Sequence, residues 1–177
     1  MLLGLTASVS AVTAAPAWSY NGMTPQHPMG WIHIHAHGVN VDMPVVQQGK
    51  SNEDGYYPTH YPTTNWVCDG QMAAISAHHY THRLPGAAGG PFRYVPNLRR
   101  GDVITVKAAA DWGGCTVKYR VTGKVRVYCK GDKWGCWPAV PYLRRHPEQY
   151  KFDMTTCDGD GSYRYVIYAF KEEATTS

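Results

Sequence analysis

Charge is scarce in this chain of 177 residues: 17% of positions are Asp, Glu, Lys or Arg, against 44% hydrophobic ones. A chain this apolar is globular rather than disordered, and at this length it is expected to form one domain with a proper core. Seventeen basic and 13 acidic residues leave a formal net charge of +4. The basic residues are scattered, which excludes a nucleic-acid-binding arm. Helix-forming runs are nearly absent, and no internal repeat is found, so a helical bundle or solenoid is excluded. Lys and Arg are also missing ahead of the apolar run Leu2 to Ala17. That run, with Ala15-Pro16-Ala17 as a small-x-small cleavage form, reads as the apolar part of an export leader or the end of a longer membrane anchor. A disordered tail is the plain alternative. It is too short and too rich in Ser and Thr for a clear membrane span.

What the chain does have is 13 Tyr, six Trp, 18 Gly and 12 Pro, the composition of β-strands joined by many turns. Residues 1–30 are expected to be leader or anchor plus linker, 31–170 the folded domain and 171–177 a tail. Trp31 to Gly38 alternates, with Val39 to Val46 continuing as extended chain, and 47–65 is turn-rich. Met72 to Ala77 reads as a buried strand. Phe92 to Leu98 makes at most one or two helical turns, broken by Pro96. Strands are predicted over Val103 to Ala108, Thr116 to Val121, Lys124 to Tyr128 and Tyr163 to Phe170, with a bend at Thr122-Gly123. Seven or eight short strands with almost no helix predict a closed or nearly closed barrel, which also leaves no free sheet edge.

Chemistry concentrates at Met154 to Arg164. A strand ends in Thr155-Thr156-Cys157, Asp158 to Ser162 supply turn residues, and the next strand begins with an arginine at its mouth. A thiol and a guanidinium thus face each other across neighbouring strands. Only the thiolate attacks, and a nearby cation lowers the thiol pKa, so this is a reaction centre in outline. The plain alternative is a buried or disulfide-bonded cysteine on an ordinary hairpin. His78 and His79, at the end of a predicted strand, are held firmly yet accessible, which suits acid/base work. The glycine-rich loop Leu84 to Pro91 can come close to a bound chain. Five cysteines leave one over. If Cys68, Cys115, Cys129 and Cys136 pair among themselves, Cys157 is the free one, and the short Cys129 to Cys136 loop is the first pairing to test. His33, His35 and His37 share one strand face and could share a metal with His27 or His60, which makes a metal-binding hydrolase one rival. Against it, no second cluster with carboxylate or cysteine spacing accompanies them. A disulfide-stapled, secreted peptide-binding β-domain is another rival. Asp158 and Asp160 could in principle hold calcium, but Gly-flanked aspartates are ordinary turn residues, and no metal or cofactor is expected.

The order of these signals resembles the sortases, the cysteine transpeptidases that attach proteins to Gram-positive cell walls or assemble pili. Gly-Val-Asn-Val-Asp-Met-Pro-Val-Val at 38–46 is similar to the family's first strands, and Ala-Ile-Ser-Ala-His at 74–78 to its strand ending in Gly-His. Gly-Pro-Phe at 90–92 with Leu-Arg-Arg-Gly-Asp at 98–102, and Tyr-Arg-Val-Thr-Gly at 119–123, follow in the family's order. Thr-Thr-Cys at 155–157 with Arg164 and Tyr-Val-Ile-Tyr-Ala matches its signature. The resemblance covers roughly 31–170 and is closest to class E/D-like members. Ala77 stands where the family has Gly, the interval from Cys157 to Arg164 is short, 83–90 look like a small insertion, and the loop cysteines are not a hallmark.

The resemblance implies an all-β, sortase-like closed β-barrel of about eight strands with one or two short helices. By the same resemblance Cys157 would be the nucleophile, His78 the acid/base partner, with His79 as its alternative, and Arg164 the group that holds substrate and steadies the oxyanion. Thr155, Thr156, His79 and Trp137 are the candidate substrate contacts. The implied partners are a protein with a C-terminal LPXTG-like sorting signal and an amine acceptor on peptidoglycan or another protein. The implied location is the cell surface, with membrane anchoring through a missing or truncated N-terminal segment, or secretion.

Overall fold

The computed structural model of the chain describes residues 28–47, 57–61, 64–70, 72–79, 90–128, 152–157 and 162–172. The leader, His27, Cys129, Cys136, Trp137, Asp158 and Asp160 lie outside them. The described residues form eight strands: β1 (Gly30–Ala36), β2 (Val39–Gln47), β3 (Thr59–His60), β4 (Ala73–Ser76), β5 (Val103–Ala108), β6 (Thr116–Tyr128), β7 (Phe152–Cys157) and β8 (Tyr163–Lys171). They close into one barrel in the order β1-β2-β3-β4-β7-β8-β6-β5, all pairs antiparallel except β2 with β3 and β4 with β7. The all-β closed barrel is therefore as expected. Three 3-10 turns, Val67–Asp69, Val95–Asn97 and Ala110–Trp112, stand where one or two short helices were predicted. Pro96 sits in the first positions of its turn, where its missing N–H costs nothing, so it opens that turn rather than breaking it. Among the described residues no helix is long and apolar enough to cross a membrane.

Alternation decides the inside. Ile32, Ile34, Ile75, Ile104, Val106, Phe152, Met154 and Ile167 are fully buried, and Tyr119 stacks on Phe152 with ring centroids 4.5 Å apart. The first 16 residues of the barrel are not one extended run but a hairpin, turned at His37 and Gly38, both with positive φ (48° and 77°). Two such residues make the turn whose twist matches paired strands. Thr122-Gly123 does not separate two strands: β6 runs through it, with a register shift between Val121 and Gly123 against β8. A bulge and a turn share the same glycine signal, and here the nine-residue β8 spans both halves of β6.

Residues 47–65, read as irregular, contain the two-residue β3, which bridges β2 and β4. Cys68 is bonded to Cys115, tying the turn at 67–69 to the start of β6. Cys157 is a free thiol.

Candidate active site

Strand β7 places its side chains alternately. Phe152, Met154 and Thr156 point into the barrel, while Asp153, Thr155 and Cys157 lie on its outer face. Thr156 is 1% exposed, so alternation carries it away from the face that bears Cys157; the expected substrate contact narrows to Thr155, whose side chain is half-buried. On β8 the outer row is Arg164, Val166, Tyr168 and Phe170, with Cys157 paired in register to Arg164, Thr155 to Val166 and Asp153 to Tyr168. Thiol and guanidinium are thus direct cross-strand neighbours. Val166 is completely buried on this outer side under Met72, Val125, Val127, Tyr168 and Phe170, an apolar bed beside the thiol.

The third component arrives from β4, which runs parallel to β7 with Ser76 level with Thr155, and Ala77 N–H donates to the Thr155 carbonyl at 3.1 Å. His78 follows two residues past Ser76, as Cys157 follows two past Thr155. The His78 backbone is pinned from outside: its carbonyl accepts from Phe92 N–H at 3.2 Å, and that of His79 accepts from Gly90 N–H at 2.7 Å. Gly90 sits so close that a Cβ there would lie 2.1 Å from the His78 carbonyl oxygen. The expected close approach of this glycine is therefore to the backbone of His78 itself.

The electrostatics differ from the simple rule of cation beside thiol. Burial is the dominant effect and pushes the Cys157 thiol above its ordinary value of 9.0; the Arg164 guanidinium and a backbone hydrogen bond at Cys157 pull it only partly back. The resting group is a thiol, with thiolate a minority species that increases with pH.

Two polar residues of this face were not singled out in the sequence. Asp153 is 2% exposed, its Oδ1 has no hydrogen-bond partner, and burial holds its carboxyl well above the usual range. Tyr61, which follows β3, has its phenol raised above the ordinary value of 10.0 by burial, with the Ser76 side chain and the charges of Asp153, Arg164 and Cys157 as smaller influences. No sequence motif marks either residue; only the pairing of β3 with β4 and β4 with β7 brings them together.

The metal constellation does not assemble. His33 Nδ1 on β1 pairs with Asp42 at 2.8 Å and His37 Nε2, in the turn after β1, with Asp102 at 3.1 Å, so these two histidines face separate partners. His60 is buried against Trp66, with Nε2 held by Asn65 and Thr64. Among the described residues no group of three His, Cys, Asp or Glu is arranged to hold a metal ion.

The family model of the sortase domain matches residues 32–172. No curated protein matches the sequence. Among solved structures, sortase A from Corynebacterium diphtheriae is similar with a TM-score of 0.64 and 17% identity, over 85% of this chain and 63% of that one. The SrtA sortase from Actinomyces oris follows at 0.59 and 21%, covering 83% of this chain and 81% of its own. A Clostridium perfringens Sortase D5 transpeptidase gives 0.56 and 16%, over 82% and 79%. The chain thus spans less than two thirds of the Corynebacterium enzyme's length.

Proposed function

Because the chain belongs to the sortase family, we propose that it is a cysteine transpeptidase in which Cys157 is the nucleophile, His78 the general acid and Arg164 the oxyanion clamp. The observation that carries the reading is the register: free Cys157 directly opposite Arg164, on a strand whose parallel neighbour, β4, ends at Ser76, two residues before His78.

In this mechanism the Cys157 thiolate attacks the carbonyl carbon of a peptide bond in a sorting signal, and the carbonyl π pair moves onto oxygen. Arg164 stabilises that oxyanion; removing such a donor typically lowers the rate by about two to three orders of magnitude. The tetrahedral intermediate collapses, the C–N bond breaks, and the departing amine takes a proton from the His78 imidazolium. The acyl group remains as a thioester on Cys157 until an amine attacks and gives its surplus proton to the His78 imidazole, which forms a new amide and returns the thiolate and the imidazolium. Because burial raises the Cys157 thiol, acylation draws on the minority thiolate.

The substrate is read as a protein bearing an LPXTG-like C-terminal sorting signal, and the acceptor as an amine on peptidoglycan or another protein. Thr155, on the thiol's own face, and His79 are the retained candidate substrate contacts. Within the family the class E/D-like assignment rests on the order of sequence landmarks. A cell-surface location agrees with the Cys68–Cys115 disulfide, since such bonds persist where the medium is oxidising.

The test is incubation with a panel of LPXTG-like peptides and oligoglycine, followed by mass spectrometry. Cleavage with transfer to glycine is expected from the wild type and none from Cys157→Ala. Cleavage surviving in Cys157→Ala would end the proposal.

A further inference from the structure

The buried histidine of β3 has no part in the mechanism above, and its hydrogen bonds fix where its proton sits. His60 is 3% exposed, and its Nε2 lies 3.0 Å from the Asn65 carbonyl oxygen and 3.1 Å from Thr64 Oγ1. A carbonyl oxygen only accepts. The Thr64 hydroxyl has one proton, which it gives to the Tyr61 carbonyl at 2.9 Å, and it accepts from Ala74 N–H at 3.1 Å. Nε2 is therefore the donor to both partners, and Nδ1 carries the lone pair.

That lone pair is buried and has no hydrogen-bond partner. Trp66 packs edge-on with the His60 ring, centroids 5.2 Å apart, and its own Nε1 is likewise buried and unpartnered. An indole N–H can only donate, so this neighbour offers nothing to a proton arriving at Nδ1. The register partners of His60, Gln47 of β2 and Ile75 of β4, bring no charge. The one charged group whose field reaches the ring is Asp69, which accepts Trp66 N–H at 3.1 Å. A protonated His60 would thus place a charge and an unmet donor inside the wall, and both are costly when buried.

We propose that His60 is an acid-sensitive latch in the barrel wall: protonation at Nδ1 releases β3 and opens the seam between β2 and β4. Strand β3 is the shortest of the described strands, paired at two positions with each neighbour. The segment the ring holds also accepts Val46 N–H at the Pro58 carbonyl, 3.0 Å, and donates from Tyr61 N–H to Ala74 at 3.0 Å and from Asn65 N–H to Met72 at 3.1 Å. When these bonds open, water reaches Nδ1 and β4, which leads to His78, loses one of its two neighbours. Burial is the largest effect on the closed ring and lowers it from its ordinary value of 6.5; the two hydrogen bonds and Asp69 offset this only partly. The open state therefore binds more protons. Closure is at full strength above 6.5 and weakens as pH falls through the lowered closed-state value, approaching tenfold per pH unit. Asp153 of β7, in register with Ala74 of β4, acts with the opposite sign, because its raised carboxyl favours the closed fold in acid.

The experiment follows amide hydrogen exchange, corrected for its intrinsic pH dependence, from pH 7.5 to pH 5 in wild type and His60→Gln. Glutamine offers an amide N–H in place of Nε2–H and does not titrate, while Asp153 is left as it is. In wild type, protection of Val46, Tyr61, Asn65 and Ala74 is expected to fall below pH 6.5, approaching tenfold per unit, while β6 on the far side of the barrel keeps its own. In His60→Gln that fall disappears. The same fall in the glutamine variant, or unchanged protection in wild type, would overturn the latch. If His60→Gln does not fold, nitrogen-15 NMR of the wild-type ring carries the test: a protonated Nε2 and a bare Nδ1 are expected at pH 7.5, with the charged ring appearing only as protection is lost. A proton on Nδ1 at pH 7.5, or a charged ring at pH 5 with protection intact, would overturn it equally.

Discussion

Replacing both Cys68 and Cys115 with alanine tests how much of the barrel's stability is invested in one cross-link. The bond joins residues 47 apart in sequence. In the chain-entropy account, a loop of that length loses about 13–14 cal/mol/K of denatured-state entropy when closed, so the disulfide stabilises the fold by about 4 kcal/mol at 25 °C. Domains of this size commonly have only about 5–15 kcal/mol in total. At about 2–4 °C per kcal/mol, the double variant is expected to melt about 8–16 °C below the wild type. Both cysteines are removed together because a lone thiol at either position could pair with Cys157 and confuse the comparison. The assay is a calorimetric melt of each protein at one pH and scan rate, with free thiols counted first under denaturing, non-reducing conditions. Because the effect acts through the denatured state, adding reductant to the wild type should reproduce most of the fall. A drop below about 3 °C in the double variant would refute the reasoning: the 47-residue loop would then be constrained in the denatured state by something other than this bond.

Three further outcomes follow from the site. Asp153 is protonated in the fold at pH values where the unfolded chain, with an ordinary carboxyl near 3.8, has released its proton. The folded state therefore binds more protons, and stability falls as pH rises from the unfolded value through the raised folded one. Asp153→Asn should match wild type in urea unfolding near pH 3 and exceed it increasingly toward pH 8; a gain that does not grow with pH would contradict this. Gly90→Ala puts a methyl against the His78 carbonyl, and overpacking of this kind costs about 1–3 kcal/mol. Both Tm and peptide cleavage should fall, and retention of both would show that the close approach is not needed. Arg164→Gln removes the cation that partly offsets burial of the thiol, so Cys157 alkylation at pH 8 should slow about tenfold, whereas Arg164→Lys keeps that rate but loses acylation. Equal alkylation by wild type and the glutamine variant would exclude Arg164 as the neighbouring charge.

What could be read from the chain follows from how local each feature is. Strand β5 occupies the span its alternation predicts, Val103–Ala108, and β8 ends one residue later than expected, because periodicity of two is written in adjacent residues. Strand β3 was hidden because a two-residue bridge has no period, and only its partners in β2 and β4 define it. The bulge in β6 read as a bend for a similar reason: whether a glycine ends a strand or shifts its register depends on what pairs alongside. Cys157 and Arg164 were legible because they close one hairpin. Tyr61 and Asp153 were not, since their place in the site depends on strands that come together across 92 positions of sequence, from 61 to 153.

The same distinction explains the one physical expectation that reversed. From sequence, a cation beside a thiol means a lowered thiol pKa, because charge proximity is visible in the hairpin and burial is not. In the folded chain burial outweighs Arg164, so the resting thiol is protonated. A site of this kind stabilises charge only as it forms, by donors already in place, rather than by storing a thiolate. In the proposed mechanism Arg164 is one such donor, held opposite Cys157 by the strand register. One permanent cation does not suffice to ionise the buried thiol.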